Sequence, residues 1–354
     1  MAESVMLEPP FVIRVDAETL KTFCMEALTT VGMAVEHARI TTECLVRTDM
    51  RGIYTHGTVS LRRYVQLMRD GGIDPRAVPE ITNEGPAWAM IDAHQAVGMV
   101  AGHVGMTTAM KKAAGCGYSN HFGAASAYTL MVLDQGMIGM AMSNTDVVMS
   151  IPNGRGAQIG NNPLSYAVPA RTQPPLVLDI AMSTVAGGKV VSMKNQGKPI
   201  PEGWLTDKDG LPTTDPGVFT VHGALTPLGG HKGYGLALMV ESLAGVLAGA
   251  GITTDMPTWA KESRKACNEG HTFIAVDIAA MMPKNEFYTR MDELIRRMRT
   301  APKAKNATRT YIPGEMEYES EAVARTHGVA LTDTAVANLR GLAEDTGLGG
   351  RCPV

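Results

Sequence analysis

The stretch GCGYSNHFGAA, residues 115–125, opens the part of the sequence that decides the fold, and PNGRGAQIGNNPLSYAVPA, residues 152–170, closes it. Between them, an apolar run typical of a helix (124–133) is followed by one typical of a strand (137–142), which breaks at a polar Ser-Asn-Thr-Asp loop. Ligands of α/β sheets bind where such elements end. We therefore expect a small-molecule site around His121; the alternative is a capped helix start with a satisfied histidine.

The composition is that of a globular protein with room for two domains. The chain has 354 residues, of which 45% are hydrophobic and 19% are charged, and its formal net charge is −3. This near-neutral balance gives no electrostatic reason to expect nucleic acid or an anionic membrane as a partner. The longest apolar run, 233–251, contains Glu241 and many small residues. It predicts a buried helix and no membrane span.

Cysteine usage and the N-terminus bear on the compartment. The five cysteines are odd in number and include no CxxC pair, so we expect neither a disulfide framework nor a bound metal, and a reducing, cytoplasmic location is favoured. The segment Met1–Pro10 has no basic region followed by an apolar one, and we expect no signal peptide.

Periodicity and end signals predict the regular elements. The segment 194–216 is polar and rich in turn residues, and we expect it to be irregular. We predict helices over 15–35, from about Val35 onward, after residue 58, over 99–114, over 285–300 and over 332–346, and strands over 88–91, 175–178 and 272–277. The last helix is expected to be capped by Thr332 or Asp333 and to end at Gly347.

Two further segments carry polar chemistry. DMRGIYTHGT, residues 49–58, is a polar elbow between predicted helices, where Arg51 offers an anion clamp and His56 a proton donor or acceptor. LTPLGGHKGYG, residues 225–235, is a Gly-rich turn before a helix, an arrangement that binds anions through backbone N–H groups. The alternatives are a helix corner with capping residues and close packing of a buried helix. The GRGAQIG run at 154–160 has the wrong spacing for a Rossmann fingerprint.

Taken in order, these motifs resemble the malate/L-lactate dehydrogenase family of nicotinamide oxidoreductases. That family includes ureidoglycolate, sulfolactate and diketogulonate dehydrogenases and the piperideine-carboxylate reductases, and it is unrelated to the Rossmann-type lactate dehydrogenases. The resemblance covers residues from about Val12 to Gly347. The matching motifs are RGIYTHG (51–57), SNHFGA (119–124), GNNPL (160–164), DIAMST with GGK (179–189), PIPEGW (199–204), GGHKGYG (229–235) and PGEME (313–317).

The resemblance implies an α/β fold with a family-specific mixed-sheet NAD(P)-binding domain that is not Rossmann, and a helical domain formed from both chain ends. Residues 1–75 plus 315–354 would form the helical part for substrate binding and dimerisation, and 76–314 the NAD(P)-binding domain. The family completes its site across a homodimer, so we expect a homodimer whose ligands are NAD or NADP and a small-molecule substrate.

The implied reaction is hydride transfer between nicotinamide and a small 2-hydroxy or 2-oxo acid, such as malate, lactate or ureidoglycolate. By resemblance His56 exchanges the substrate proton, and His121 lines the nicotinamide pocket and shares that role. Substrate contacts are expected from Arg51, Thr55, Arg63 and Asn161. Cofactor contacts are expected from His121, Phe122, Gly123, Thr145, Asp179, Ile180, Ala181, His231, Lys232, Gly233, Pro313, Gly314 and Glu315.

The chain departs from the family pattern in two places. Ser60 stands where many members carry an arginine for the substrate carboxylate. We expect Arg51 to replace it, because a loop position can bend toward the ligand, with Arg63 next because it lies about two helical turns past His56. The family's strand before SNHFG is expected to be shortened or missing. Two alternatives stay open: a cyclic-imine carboxylate reductase, disfavoured by Lys189 where those relatives carry an acid, and a non-catalytic nucleotide-binding homologue.

Overall fold

The computed structural model describes residues 11–258 and 262–354, so Met1–Pro10, with the signal-peptide prediction, lies outside the described residues. The chain forms two compact units. Unit 1 comprises the chain up to Arg69 together with Met316–Val354, and unit 2 comprises Asp70–Glu315. Within the described ranges, no helix has both the length and the apolar character needed to cross a membrane.

The regular elements are numbered along the chain. The strands are β1 (Phe11–Val15), β2 (Glu80–Glu84), β3 (Trp88–Asp92), β4 (Ala114–Ser119), β5 (Met137–Ser143), β6 (Leu164–Val168), β7 (Leu176–Ile180), β8 (Leu205–Thr206), β9 (Pro212–Thr213), β10 (Ala224–Leu225), β11 (Glu269–Asp277) and β12 (Val329–Thr332). The helices are α1 (Ala17–Thr30), α2 (Val35–Met50), α3 (Leu61–Asp70), α4 (Gly98–Lys112), α5 (Ser126–Leu133), α6 (Gly187–Asn195), α7 (His231–Val240), α8 (Lys284–Thr300), α9 (Glu315–His327) and α10 (Asp333–Thr346).

Unit 2 is built on a seven-stranded mixed sheet in the order β2-β3-β4-β11-β5-β6-β7. Strands β3 and β4 run parallel, whereas β11 runs antiparallel to both β4 and β5. A Rossmann sheet is mostly parallel, so the predicted mixed-sheet α/β fold is confirmed. Because β4 and β5 are both antiparallel to β11, they end at the same edge of the sheet, where β11 begins. The loops that follow β4 and β5 are therefore brought together at one edge.

The expectation that the strand before SNHFG is shortened or missing is wrong. Strand β4 has six residues and pairs with β3 on one side and with β11 on the other. A Cβ atom added to Gly117 would lie 2.2 Å from the Ile91 carbonyl oxygen, and one on Gly115 would lie 2.7 Å from that of Gly105. The glycines thus allow close packing against β3 and α4. Glycine lowers strand propensity, and here pairing on both sides overrides it.

Apolar cores lie on both faces of the sheet in unit 2. Under α4 and α5 the core contains Met106, Phe122, Tyr128 and Phe273. Each fully buried side chain of this size contributes about 1.5–3 kcal/mol relative to an exposed one. A second core of buried residues includes Met142, Leu225, Ala237 and Ala244. The strand ends and their loops are thus fixed to a packed scaffold.

In unit 1 the two ends of the chain meet. Strand β1 pairs antiparallel with β12, with Val15 opposite Val329. The sequence indicated a helix from Val15, but the helix begins at Ala17, with Asp16 accepting the Thr19 N–H at 2.9 Å as the predicted N-cap. Helix α10 is capped by Thr332 and followed by Gly347 in the left-handed conformation, as predicted.

Two predictions about unit 2 need correction. The segment 194–216 is not wholly irregular, because it contains the end of α6 and strands β8 and β9, which form a small sheet with β10. The apolar run 233–251 is not a fully buried helix. Helix α7 continues into a π-helical segment, Glu241–Val246. Its inner side chains are buried, but Val246 is 62% and Leu247 58% exposed.

Candidate active site

The polar elbow of unit 1 is closed by a buried carboxyl group. Asp49, near the end of α2, accepts hydrogen bonds from the Thr58 backbone N–H at 2.9 Å and from the Thr58 hydroxyl at 2.6 Å. A Cβ atom on Gly57 would lie 1.8 Å from Oδ1 of Asp49. Only glycine therefore lets the carboxyl reach Thr58. Burial raises the pKa of Asp49 to about 7, although both Thr58 bonds favour the ionised form.

His56 lies in the turn between Asp49 and Gly57. It is half-buried, and its Nδ1 lies 2.7 Å from the Thr55 hydroxyl oxygen. Its backbone N–H donates to the Ile53 carbonyl at 3.2 Å. Burial lowers the pKa of His56 below the ordinary value, so the imidazole is neutral near pH 7. The elbow thus holds a neutral imidazole beside a hydroxyl, a pair suited to exchanging one proton.

Arg51 is held inside unit 1. Its side chain is 5% exposed, and Nη1 lies 3.1 Å from Oε2 of Glu321, whose side chain is 8% exposed. Arg47 and Arg325 also contact this carboxylate. Burial raises the pKa of Glu321, but the three guanidinium groups outweigh burial and lower it overall. The idea that Arg51 bends toward a ligand as a loop residue is therefore wrong, since the side chain is fixed in a buried ion pair.

The helical argument for Arg63 also fails, because residues between Arg51 and Gly57 form turns and α3 begins only at Leu61. Arg63 is half-buried on α3, while Arg62 is paired with Asp345 at 2.7 Å. Arg63 therefore stays a prediction for the substrate carboxylate, without the geometric reason that the sequence suggested.

In unit 2 the loop after β4 is pinned at Asn120. This side chain is 1% exposed; its Nδ2 donates to the carbonyls of Gln95 and Ala96, and its Oδ1 accepts the Cys267 N–H at 2.9 Å. His121 follows and is half-buried, and Gly123 has a φ of 79°, in the left-handed region that favours glycine.

His271 supports this loop from the sheet. The ring of Phe122 stacks on the imidazole of His271, with centroids 4.6 Å apart. The two imidazole nitrogens lie 2.8 Å from the Ser119 hydroxyl and 2.9 Å from the Ser143 hydroxyl. Burial lowers the pKa of His271 to about 3, so the ring is neutral and links the ends of β4 and β5. Sequence analysis missed this residue; a histidine within an apolar strand was the available signal.

The loop after β5 brings Thr145 and Asn161 together. The Thr145 hydroxyl donates to Oδ1 of Asn161 at 3.1 Å, and its backbone N–H donates to Oδ1 of Asn162, also at 3.1 Å. Asn162 is buried and donates to Oε2 of Glu241 at 2.7 Å. Glu241, the first residue of the π-helical segment, also accepts the Thr253 N–H at 2.9 Å. This buried carboxylate positions both predicted residues and was not found from the sequence.

A backbone chain connects Asn161 to the start of α7. The Met182 N–H donates to the Asn161 carbonyl at 2.7 Å, the Leu228 N–H to the Met182 carbonyl at 2.8 Å, and the Gly233 N–H to the Leu228 carbonyl at 2.8 Å. Ala181 immediately precedes Met182. The structure therefore brings Asn161, Ala181 and Gly233 together.

Asp179, which precedes Ile180 at the end of β7, caps α5. Its Oδ2 accepts the Ser126 N–H at 2.8 Å. Asp179, Ile180 and Ala181 are all half-buried. A carboxylate at a helix N-terminus is favoured by the helix dipole, so Asp179 has a structural role in addition to the predicted cofactor contact.

The start of α7 has the geometry of an anion site. Gly229 and Gly230 have φ values of 58° and 64°, and the space beside Gly230 is open. His231 and Lys232 are exposed in the first turn. A Cβ atom on Gly233 would lie 2.4 Å from the Leu228 carbonyl oxygen, so this glycine serves packing. Exposed backbone N–H groups, a positive helix end and a lysine fit a phosphate group.

The predicted turn at Pro313 lies against β7. The Pro313 carbonyl accepts the Val177 N–H at 2.9 Å, and Gly314 has a φ of 88°. Glu315 accepts from Arg309 at 2.6 Å and from the Ile312 N–H at 3.0 Å. Both of its oxygens are thus engaged by protein groups, and its contact with a cofactor stays a prediction.

The motifs and the fold agree with known proteins. A family model described as malate/L-lactate dehydrogenase matches residues 15–340. The chain is 34% identical to a malate dehydrogenase of Pyrococcus horikoshii, over 96% of this chain and 97% of the relative. It is 31% identical to a Δ1-pyrroline-2-carboxylate reductase of Pseudomonas fluorescens, over 90% and 95%. The solved sulfolactate dehydrogenase of Methanocaldococcus jannaschii superposes with a TM-score of 0.87 at 31% identity, over 95% and 98%. The chain therefore belongs to the malate/L-lactate dehydrogenase family.

Proposed function

We propose that the protein is an NAD(P)-dependent oxidoreductase that transfers a hydride between nicotinamide and a small 2-hydroxy or 2-oxo acid. Family membership supports a dehydrogenase or reductase of this class. The observation that carries the proposal is the hydrogen-bonded chain from Asn161 through Met182 and Leu228 to Gly233. It sets the anion-binding start of α7 beside the loop ends of a mixed sheet, as a dinucleotide requires.

The residues of unit 2 fit such a cofactor. The turn at Gly229 and Gly230 with Lys232 would take a phosphate, and the loop from His121 to Gly123 would hold the ring. Thr145, Asp179, Ile180, Ala181, His231, Pro313 and Gly314 are the further contacts that we propose, with Glu315. The bound nicotinamide supplies or accepts the hydride.

Proton exchange is assigned to the imidazoles. Since burial lowers the pKa of His56, the neutral ring can take the hydroxyl proton when the alcohol is oxidised and return it in the reverse direction. The Thr55 hydroxyl orients that ring. His121 is our second candidate for this proton exchange, and Asn161 and Arg63 are our candidates for holding the substrate. A carboxylate that leaves water needs a charge partner.

A panel of 2-oxo acids tests the proposal, with NADH and NADPH compared at the nicotinamide absorbance. The panel includes the 2-oxo acids that correspond to malate and lactate. It also includes cyclic imines such as Δ1-pyrroline-2-carboxylate, because one relative is a reductase of that compound. Turnover of an oxo acid supports the proposal, and turnover of the imine alone replaces it with the reductase. Cofactor binding without turnover of any compound favours a non-catalytic homologue.

We propose that the protein works in a reducing, cytoplasmic compartment. None of the five cysteines, all within the described ranges, forms a disulfide, which supports a reducing, cytoplasmic compartment. We also propose a homodimer, supported by the exposed apolar side chains on α7 and the segment after it.

A further inference from the structure

Glu269 is a buried carboxyl group at the edge of the sheet where the candidate site lies. It opens β11 and pairs with Ser119, the last residue of β4. The side chain is 2% exposed, and its Oε2 has no hydrogen-bond partner among the described residues. Glutamate is rarely buried this deeply without a partner. The structure therefore leaves one oxygen of this buried carboxyl group without a hydrogen-bond partner among the described residues.

Residues of β4, of β11 itself and of the loop after β5 surround Glu269. Across β4 lie Ser119 and, in the loop that follows, His121. On its own strand His271 points to the same sheet face and is kept neutral by burial. Beyond β5 lies Asp146, the charged group that acts on Glu269. Burial first and this neighbouring carboxylate second raise the pKa of Glu269 well above the ordinary value, and both favour the protonated form of the group.

We propose that Glu269 couples a proton to the charge of the nicotinamide ring: it is neutral when the ring is reduced or absent, and ionised when the oxidised ring occupies the loop from His121 to Gly123. This inference rests on the proposed function. Because Glu269 is covered, it acts through space and not by contact. A cation held nearby in a poorly solvated site favours the ionised form of an acid and lowers its pKa.

The protons balance over the cycle. When the oxidised cofactor binds, the O–H bond of the Glu269 carboxyl group breaks and the proton leaves to solvent. A reduced ring carries no positive charge, so the Glu269 carboxylate would then take one proton back from solvent. The site therefore binds the oxidised cofactor more tightly than the reduced one, by a factor that this coupling sets. A tenfold preference corresponds to one unit of pKa change.

The experiment measures proton release on cofactor binding. The protein is mixed with NAD⁺, NADP⁺, NADH or NADPH in weakly buffered solution near pH 7 that contains a pH indicator. We expect release with an oxidised cofactor and none with its reduced form. Glu269→Gln should abolish the release and weaken binding of the oxidised cofactor about tenfold, with less than a twofold change for the reduced form. Glu286→Gln, at an exposed position of α8, is the matched control and should behave like the unaltered protein.

Asp146→Asn gives a second, independent arm. Removing its negative charge lowers the pKa of Glu269, so the release should move to lower pH while the fold is kept. Equal proton release from the unaltered protein and the Glu269→Gln variant would overturn the coupling, as would release of the same size with reduced cofactor. If none of the four cofactors binds the unaltered protein, the proposed function itself fails, and the two failures are thereby distinguished. Should Glu269→Gln not fold, an unchanged pH of release in Asp146→Asn would overturn the coupling.

Discussion

At the scale of single residues, Arg51 decides between a substrate clamp and a structural ion pair. Arg51→Met leaves the buried carboxylate of Glu321 with only the more exposed Arg47 and Arg325 as cations, and loss of a partner from a buried pair costs up to about 3–5 kcal/mol. We expect a loss of this order in the free energy of unfolding by denaturant. Adding Glu321→Leu should restore most of it. A stable Arg51→Met variant with a raised KM would instead return Arg51 to the substrate.

The proposed role of His56 predicts an effect on the turnover rate and a pH dependence of kcat/KM. His56→Ala should lower turnover roughly 10²–10⁴-fold, the usual contribution of a general acid or base, and should leave cofactor affinity nearly unchanged. Because burial lowers the pKa of His56, kcat/KM for alcohol oxidation should fall only below pH 6.5, as the ring becomes protonated. His94→Ala, at an exposed histidine of unit 2, is the control. Lost cofactor binding with an unchanged hydride rate would exclude His56 as the proton carrier.

Asp49 makes stability depend on pH. Its pKa is about 7 in the folded protein and about 3.9 in an unfolded chain. Between these values the folded state holds a proton that the unfolded state has lost, so stability falls as pH rises through this window and levels off above about pH 7. The loss is about 4 kcal/mol. Asn mimics the protonated acid, so Asp49→Asn should gain stability relative to the unaltered protein as pH rises from 4 to 7. A difference that is constant with pH would show that Asp49 is ionised throughout.

At the scale of elements, the sequence predicts those parts whose signals are local. Thr332 and Gly347 mark the ends of α10 because a cap and a left-handed residue act within one turn. Strand β4 was missed because its glycines are explained only by close packing against β3 and α4 in the folded structure, which no local sequence signal reveals. Likewise, β1 forms because β12 pairs with it from the other end of the chain.

The start of α7 is an element whose proposed role can be measured. Lys232→Ala should weaken cofactor binding more than it slows hydride transfer, since a hydrogen bond to a charged group is worth about 1.5–3 kcal/mol. Titration of cofactor fluorescence together with single-turnover rates separates the two effects. Lys303→Ala, at an exposed lysine that belongs to none of the motifs, serves as the comparison. Unchanged nucleotide affinity in Lys232→Ala would leave the Gly-rich turn with a packing role alone.

For the molecule as a whole, the motifs predicted the family and the mixed sheet, but not the groups that hold the site. Glu241 and His271 act on residues 79 and 128 positions away in sequence, and Asp49 bonds Thr58 across the elbow, through hydrogen bonds that no spacing rule encodes. Catalytic side chains stand in recognisable motifs because their chemistry is local. The residues that position them depend on the packed tertiary structure. In the sequence, a buried acid such as Glu241 looks only like an interruption of an apolar helix.

Exposed apolar side chains on α7 and the segment after it bear on how the protein assembles. Leu236, Met239, Val246 and Leu247 are 40%, 37%, 62% and 58% exposed, and their spacing of three, seven and one residues places them along one side of α7 and the π-helical segment. An apolar stripe of this kind marks an interaction surface, and a second copy of the chain is the partner that family resemblance implies. Light scattering should give the mass of a dimer. Leu236→Lys with Leu247→Lys should yield a folded monomer, whereas Met281→Lys, at an apolar residue that is 77% exposed outside the stripe, should stay dimeric. A monomeric unaltered protein, or a dimer that survives both lysines, would show that this stripe is not the interface.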